Sequence, residues 1–237
     1  MTMNKQSNTY TIIYIIVLVV LVGTALAITS ISLHDRQQAN ADADKMRQIL
    51  ASVNIPTDNS DVVGKYNETV TSTFVVDSKG NKVADAAPAF DIDVAAQSKD
   101  NPDERLLPVY ECNIDGSVKY VLPMYGAGLW GPIWGYISVD ADGSTIYGAY
   151  FDHEGETPGL GAEIAKPAFS GQFKGRKLFK EGTFVPVEVV KKGQKPAENA
   201  DYVDGISGGT ITSKGVGAMI DNCVSPYAPF LESLSNK

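Results

Sequence analysis

Residues 106–152 read LLPVYECNIDGSVKYVLPMYGAGLWGPIWGYISVDADGSTIYGAYFD, and they say more about the architecture than any other part of the chain. Four pieces, at 106–112, 117–125, 133–140 and 144–152, are rich in β-branched and aromatic residues. Asn-Ile-Asp-Gly separates the first two pieces and Ala-Asp-Gly the last two, which is typical of β-hairpins. The stretch therefore predicts consecutive antiparallel strands.

The flanking sequence adds strands and then helices. TVTSTFVVD, at 69–77, and TFVPVEVV, at 183–190, predict two further strands. GVGAMIDNCV, at 215–224, and APFLESL, at 228–234, have the spacing of short helices. The Asp-, Ala- and Pro-rich residues 88–105 indicate a surface loop. Strands in the middle and helices at the ends predict an α+β class, with a central, mainly antiparallel sheet and flanking helices.

An uncharged apolar run occupies residues 11–33, TIIYIIVLVVLVGTALAITSISL. As a helix it would extend roughly 34 Å, enough to cross a hydrocarbon core of about 30 Å. The alternative is a cleaved signal peptide, because Ala25-Leu26-Ala27 follows an apolar stretch. The run continues past that sequence, and Lys5 is the only charge before it, so we favour a retained transmembrane helix.

The plan of the chain follows from this helix. Residues 1–10 form a short flank, 11–33 the span, 34–67 a helical connector with an amphipathic helix near 40–53, and 68–237 the large domain. Basic residues are more numerous just after the span than before it, which alone favours a cytoplasmic domain. That rule weakens for long domains, so the charge pattern leaves the side open.

Composition excludes some functions. The chain has 20 Lys+Arg, of which Lys5 alone precedes residue 34, and 28 Asp+Glu. An acidic domain disfavours nucleic acid and anionic membrane surfaces as partners. Two cysteines, Cys112 and Cys223, and two histidines form no metal-ligand spacing, so we expect no metal. Two buried thiols or one disulfide remain open for the cysteines.

The first of three glycine-rich segments is Gly126-Ala-Gly-Leu-Trp-Gly-Pro-Ile-Trp-Gly135. Its glycines would make a poor strand but suit a tight loop, where backbone approaches a flat ligand and an aromatic or leucine side chain covers it. A turn whose tryptophans fill the core explains the segment equally well.

The second segment is His153-Glu-Gly-Glu-Thr-Pro-Gly-Leu-Gly161. Thr-Pro-Gly predicts a turn beside the polar side chains of Glu156 and Thr157. Glu156 has the chemistry to accept a hydrogen bond from a ring N–H or a sugar hydroxyl of a ligand. The alternative is a loop that caps a short helix.

The third segment is Asp204-Gly-Ile-Ser-Gly-Gly-Thr-Ile-Thr-Ser213, just ahead of a predicted helix. Small residues let backbone N–H groups point into open space, and the start of a helix adds partial positive charge, so the segment suits a phosphate. Lys214 would add a full charge. The spacing matches neither a P-loop nor a dinucleotide fingerprint. An ordinary helix cap is the alternative.

Taken together and in this order, GLWGPIWGYI, HEGETPGLGAEI and DGISGGTITSKGV resemble signature stretches of one family, the C subunit of the sodium-translocating NADH:quinone oxidoreductase. The resemblance covers most of residues 8–235 and is weakest over 78–105. It implies one transmembrane helix followed by a single FMN-binding domain over 68–237.

The resemblance also implies a covalent cofactor. The flavinylation motif of that family is Asp-x-x-Ser/Thr-Gly-Ala-Thr, with FMN held by a phosphoester to the final Thr. Its positions here are Asp204, Ser207, Gly208 and the acceptor Thr210. Gly209 stands where Ala is usual, a change that costs about 0.5–1 kcal/mol of local order.

The remaining site residues are likewise implied by the resemblance. Leu129 and Trp130 are expected to contact the flavin ring, and the turn residues Glu156, Thr157, Gly159 and Leu160 to line the rest of its pocket. The implied partners are the other members of a six-subunit assembly, A to F, and a flavin transferase that uses FAD as donor.

The family further implies a bacterial inner-membrane location with the domain on the periplasmic side. The chain would relay electrons from an iron centre in membrane subunits to a second covalently flavinylated subunit. NADH, the quinone and sodium would bind elsewhere in the assembly.

Three alternatives remain at this point. The G subunit of the Rnf complex, a ferredoxin:NAD+ oxidoreductase, has the same covalent FMN arrangement. A membrane-tethered binding or scaffold domain would use the Gly-Thr loop only as a helix cap. A self-sufficient flavin enzyme would need an acid/base pair, for which the chain offers only His153 with Glu154 or Glu156.

Overall fold

The computed structural model describes residues 8–57, 61–196 and 199–235, and its contacts divide the chain into two units, Met1–Lys45 and Met46–Lys237. Helix α1, Asn8–Ser52, includes the whole predicted span, whose apolar side chains are largely exposed. By length and composition this helix can cross a membrane. Exposed apolar residues over such a length require an apolar surrounding, which a bilayer supplies.

The second unit is built on a five-stranded antiparallel sheet in the order β1-β2-β3-β4-β5. Its strands are β1 Val70–Val76, β2 Leu107–Ile114, β3 Ser117–Ala127, β4 Pro132–Asp140 and β5 Ile146–His153. Asp115 and Gly116, both with positive φ, form the two-residue β2–β3 turn. This backbone matches the right-handed twist of a hairpin, which is why Asp-Gly predicted it. The α+β class is confirmed.

Short elements and helices complete the domain. The helices are α2 Val62–Thr69, α3 Val94–Gln97, α4 Pro167–Ser170, α5 Thr210–Val224 and α6 Ala228–Ser235. The pair β6 Phe179–Lys180 and β7 Thr183–Phe184 is antiparallel. The pair β8 Glu188–Val190 and β9 Tyr202–Asp204 is parallel.

Both faces of the central sheet are covered. Val109 and Leu122 point into a large core that includes residues of α5 and α6, such as Ile220 and Leu231. Their chain neighbours on β2 and β3 point the other way, into a cluster formed with the end of α1 and with tyrosines. Side chains alternate along a strand, so buried residues on successive positions require two covered faces.

Helix α5 lies close to β3 because each of these elements has a glycine at the contact. A Cβ on Gly126 would come within 2.8 Å of the Met219 Cβ, and one on Gly215 would collide with the Ala127 carbonyl oxygen. Only the absence of side chains permits this approach. As a result, the N-terminal end of α5 lies beside the β3–β4 turn, and this places the third glycine-rich segment next to the first.

Several boundaries differ from the sequence-based prediction. The predicted strand 183–190 is divided into β7 and β8, because Pro186, which has no N–H to donate, lies between them. Gly126 and Gly135 belong to strands, so the predicted ten-residue loop shrinks to residues 128–131. The loop 88–105 contains short helical turns and buries Ala89, Ile92 and Arg105.

The predicted connector 34–67 is not a uniform segment. Residues 34–52 continue α1, and the compact second unit begins at Met46. Ile49, Leu50 and Val53 are fully buried against the sheet. The helical spacing near 40–53 predicted this apolar face, but the sequence did not show that it covers one side of the domain.

Cys112 and Cys223 are free thiols, and both are buried. Cys112 lies in the tyrosine-rich cluster behind the sheet. The thiol of Cys223 donates to the Tyr125 carbonyl oxygen at 3.3 Å, in the core on the other face. Both cysteines are therefore packing residues of the core, and they form no disulfide with each other.

Candidate functional site

The three glycine-rich segments meet at one cavity of about 380 Å³. We call it the apolar cavity. The β3–β4 turn, the loop after β5 and the start of α5 each contribute to its wall. Its lining residues are Leu129, Trp130, Glu156, Thr157, Leu160, Gly161 and residues 208–212.

Large apolar side chains surround this cavity without being buried. Leu129 is 48% exposed, Trp130 69%, Leu160 42% and Ile211 58%. Burying such side chains is favourable, so a group of them left in solvent marks a surface that binds something flat or apolar. The apolar cavity thus has the chemistry to hold an aromatic ring system.

Glu156 lies at the centre of the site and is only 5% exposed. Its Oε1 accepts a hydrogen bond from the backbone N–H of Trp130 at 2.9 Å. Its Oε2 accepts one from the hydroxyl of Thr212 at 2.6 Å. One buried carboxylate therefore joins all three glycine-rich segments. Each oxygen thus accepts one hydrogen bond from within the protein and keeps a further lone pair, so the ligand contact expected from sequence stays a prediction.

These hydrogen bonds also set the ionisation of Glu156. Burial raises the pKa of a carboxyl group, because it disfavours the charged form. The donors from Thr212 and from the backbone at Trp130 and Leu129 favour the charged form and outweigh burial, so the pKa of Glu156 lies below its ordinary value. The carboxylate is negative at neutral pH.

Glycines make room for this carboxylate. A Cβ on Gly128 would collide with Oε1 of Glu156, and a Cβ on Gly161 would collide with Oε2. The Cβ on Gly161 would also come within 2.6 Å of the Thr212 hydroxyl. Both positions thus need glycine for the carboxylate to approach backbone and helix together.

Thr210 is the first residue of α5, and its side chain is exposed. Gly209 is the N-cap and makes no side-chain capping hydrogen bond. Gly208 has a φ of +79°, a conformation that glycine adopts without strain. The first N–H groups of a helix have no intrahelical acceptor and carry partial positive charge, so they suit a phosphate attached beside them.

A second cavity, of about 510 Å³, also has Thr210 in its wall. We call it the lysine cavity, because Lys191, Lys192 and Lys214 line it together with Gln194 and Ser207. Gly208 and Thr210 line both cavities. Thr210 therefore belongs to the part of the wall that the two cavities share.

The structure gathers most residues predicted for the site. Ser207 lines the lysine cavity, and eight predicted residues line the apolar cavity: Leu129, Trp130, Glu156, Thr157, Leu160, Gly208, Gly209 and Thr210. Asp204 and Gly159 line neither. Asp204 exchanges backbone hydrogen bonds with the Gln172 side chain and borders a separate hollow with Arg176. Gly159, with a φ of +77°, forms the turn before Leu160.

Sequence analysis missed Thr212, Gly161, Ile211, Lys191 and Lys192. The first three belong to segments already quoted, but nothing local showed which of their side chains would face the cavity. The Lys-Lys-Gly run at 191–193 was a detectable signal, because it concentrates positive charge in an acidic domain.

Comparison with known proteins agrees with this geometry. The model of the FMN-binding domain family matches residues 128–225, which include the stretches GLWGPIWGYI, HEGETPGLGAEI and DGISGGTITSKGV. The C subunit of the Na(+)-translocating NADH-quinone reductase of Vibrio parahaemolyticus is 30% identical over 98% of this chain and 97% of its own length. The same subunit from Vibrio vulnificus is 32% identical, over 90% and 88%.

Solved structures give the same result. The crystal structure of the C subunit of the Na(+)-translocating NADH-quinone reductase from Parabacteroides distasonis is 52% identical, with a TM-score of 0.78, and covers 84% of this chain and 96% of its own. Shewanella oneidensis NqrC is 26% identical, with a TM-score of 0.69, over 84% and 100%. The chain belongs to the NqrC family, the C subunits of Na(+)-translocating NADH-quinone reductases, and it contains an FMN-binding domain.

Proposed function

We propose that this chain is an electron-transfer flavoprotein subunit of a Na(+)-translocating NADH:quinone oxidoreductase, with FMN bound covalently through a phosphoester to Thr210. The observation that carries the proposal is the position of Thr210, an exposed hydroxyl at the start of α5 on the wall shared by the two cavities. The family named above and its flavinylation motif support the assignment.

The residues present fit FMN. The apolar cavity offers exposed Leu129, Trp130, Leu160 and Ile211 to a flat ring. A Cβ on Gly208 would lie 2.6 Å from Cδ2 of Leu160, so glycine there leaves room for the Leu160 side chain in the cavity wall. FMN supplies one-electron and two-electron transfer, which no side chain provides.

The protein contributes position and electrostatics. The hydrogen bonds to Glu156 hold the Trp130 turn and the start of α5 in a fixed arrangement. The apolar side chains would shield a bound ring from water, and the helix N-terminus would stabilise the negative charge of the phosphoester. A covalent bond keeps the cofactor on a membrane surface where no free flavin would replace it.

We further infer that the chain relays electrons between neighbouring subunits, from an iron centre in membrane subunits to a second covalently flavinylated subunit. In this proposal NADH, the quinone and Na+ bind to other members of the six-subunit assembly. Helix α1 anchors the chain in the bacterial inner membrane, with the domain on the periplasmic side, and a flavin transferase attaches the FMN. Family resemblance supports these assignments, and the names of the relatives favour this reductase over the Rnf complex with its homologous G subunit.

Fluorescence in a denaturing gel tests the covalent bond. We expect a flavin-fluorescent band for wild type coexpressed with the transferase, and for Thr183→Ala, which removes an exposed threonine of β7. Thr210→Ala should be dark, and Thr210→Ser should retain the band because it keeps a hydroxyl. Mass spectrometry of the peptide 201–214 should then locate the adduct. An equally bright Thr210→Ala band would place the covalent flavin on another residue, and a dark wild-type band would favour a scaffold that binds no flavin covalently. Either outcome would overturn the proposal.

A further inference from the structure

The lysine cavity concentrates positive charge on an otherwise acidic domain. Lys191, Lys192 and Lys214 line it, and none of its described lining residues is Asp or Glu. Within residues 8–57, 61–196 and 199–235, no carboxylate pairs with any of the three ammonium groups. Like charges that share one cavity repel each other, so an anion placed among them is stabilised.

The backbone brings these lysines to Thr210. Strand β8 runs parallel to β9, with Val190 opposite Asp204, and the Gly205 N–H donates to the Val190 carbonyl oxygen at 2.7 Å. Lys191 and Lys192 follow β8 directly, and a turn closed by Gln194 N–H and the Lys191 carbonyl oxygen at 2.8 Å holds them there. The β8–β9 pair thus fixes the loop beside the start of α5.

Helical geometry brings the third lysine to the same side. Thr210 and Lys214 are four residues apart in α5, so their side chains project from one face of the helix. An anion attached to Thr210 would therefore meet Lys214 along the helix and Lys191 and Lys192 across from it. The apolar cavity contains no lysine among its lining residues.

We propose that Lys191, Lys192 and Lys214 bind the phosphate of the flavin at Thr210, while the ring lies in the apolar cavity. This inference rests on the proposed function, since it assigns residues to the phosphate end of the same ligand. The phosphoester would keep one negative charge, and each ammonium group can donate charge-assisted hydrogen bonds to its free oxygens. The lysines are positioning residues, because they set where the ligand lies.

Binding of FMN and of riboflavin to the full, unmodified chain in detergent tests the proposal, because riboflavin lacks the phosphate. We expect FMN to bind about tenfold more tightly than riboflavin. The triple variant Lys191→Gln, Lys192→Gln, Lys214→Gln should lose this advantage and leave riboflavin affinity unchanged. The control Lys79→Gln, Lys99→Gln, Lys174→Gln changes the net charge equally at exposed positions and should retain it. An unchanged FMN advantage in the first variant would overturn the proposal.

AMP is the competing probe for a free nucleotide. If AMP binds more tightly than FMN, and the triple variant loses AMP binding alone, the cavity serves a free nucleotide and the proposal fails. If the gel assay shows no covalent flavin while the FMN advantage persists, covalent attachment fails and the phosphate site stands.

Limited trypsin digestion tests the proposal even if the unmodified protein binds neither FMN nor riboflavin measurably. Trypsin cleaves after Lys191 and Lys192, and a phosphate held by these side chains should slow cleavage there several-fold in flavin-loaded protein. Cleavage after Lys79, which lines neither cavity, should proceed at the same rate with and without flavin. Equal rates at 191–192 in both forms would overturn the proposal.

Discussion

The hydroxyl of Thr212 donates a hydrogen bond of 2.6 Å to Oε2 of Glu156, across 56 positions of the chain. Because Oε1 of the same carboxylate accepts from the Trp130 N–H, this contact ties α5 to both loops of the apolar cavity. The site is thus assembled by hydrogen bonds within the protein, independently of any ligand. Stability and cofactor binding are expected to depend on the same buried group.

Glu156→Gln should lower the free energy of unfolding by about 1–3 kcal/mol at pH 7, because buried donors lose a charged acceptor. The pKa of Glu156 in the folded protein is lowered, so its stabilising effect is complete above the ordinary glutamate pKa of about 4.3 and disappears as pH falls through the folded pKa. In urea unfolding measured from pH 7 downward, the free energies of unfolding of wild type and Glu156→Gln should therefore become equal in acid.

The matched control is Glu154→Gln, which changes the same charge at an exposed position two residues away. It should unfold like wild type at pH 7. If the difference in free energy of unfolding between Glu156→Gln and wild type stays constant or grows as pH falls, the assigned role of the carboxylate is contradicted.

Gly208→Ala and Gly209→Ala should behave differently although the residues are adjacent. Gly208 has a φ of +79°, so alanine there is strained, and we expect a loss of more than about 1 kcal/mol with reduced flavin loading. Gly209 has a φ of −108°, and its added Cβ would lie 3.1 Å from the Leu160 carbonyl carbon. That close contact opposes the gain from a stiffer unfolded chain, so we expect a change below about 0.5 kcal/mol.

Urea unfolding and in-gel fluorescence measure both glycine variants. Loading of Gly209→Ala should stay within about twofold of wild type, consistent with alanine being usual at this place in the flavinylation motif. Loss of loading in Gly209→Ala with normal loading in Gly208→Ala would contradict the assigned backbone roles.

Trp130→Ala should retain the covalent flavin but change its surroundings. Trp130 is 69% exposed beside the apolar cavity, so its removal costs the fold little. Loss of an indole that contacts the ring should raise flavin emission in the loaded native protein and weaken its visible circular dichroism. The control is Trp134→Phe, since the Trp134 indole N–H donates to Gln48, away from the cavity lining. Identical spectra for Trp130→Ala and wild type would place the ring elsewhere.

Local patterns predicted much of this protein. Strand-like pieces separated by Asp-Gly turns indicated the hairpins, and an uncharged run of 23 residues indicated α1. Three glycine-rich segments predicted a site for a flat ligand and a phosphate, and only their resemblance to one family implied FMN with Thr210 as acceptor. Each of these signals lies within a short stretch, because turns, strand alternation and helix length are set by neighbouring residues.

The tertiary structure decided how distant residues meet. Only the fold shows that the carboxylate of Glu156 accepts hydrogen bonds from Thr212 and Trp130. It also shows that Asp204 lines neither cavity, and that Lys191 and Lys192 line the lysine cavity together with Thr210. Their proximity depends on the close approach of α5 to β3 and on the pairing of β8 with β9. Such contacts join residues tens of positions apart, and packing across the whole domain, rather than any local pattern, determines which of them form.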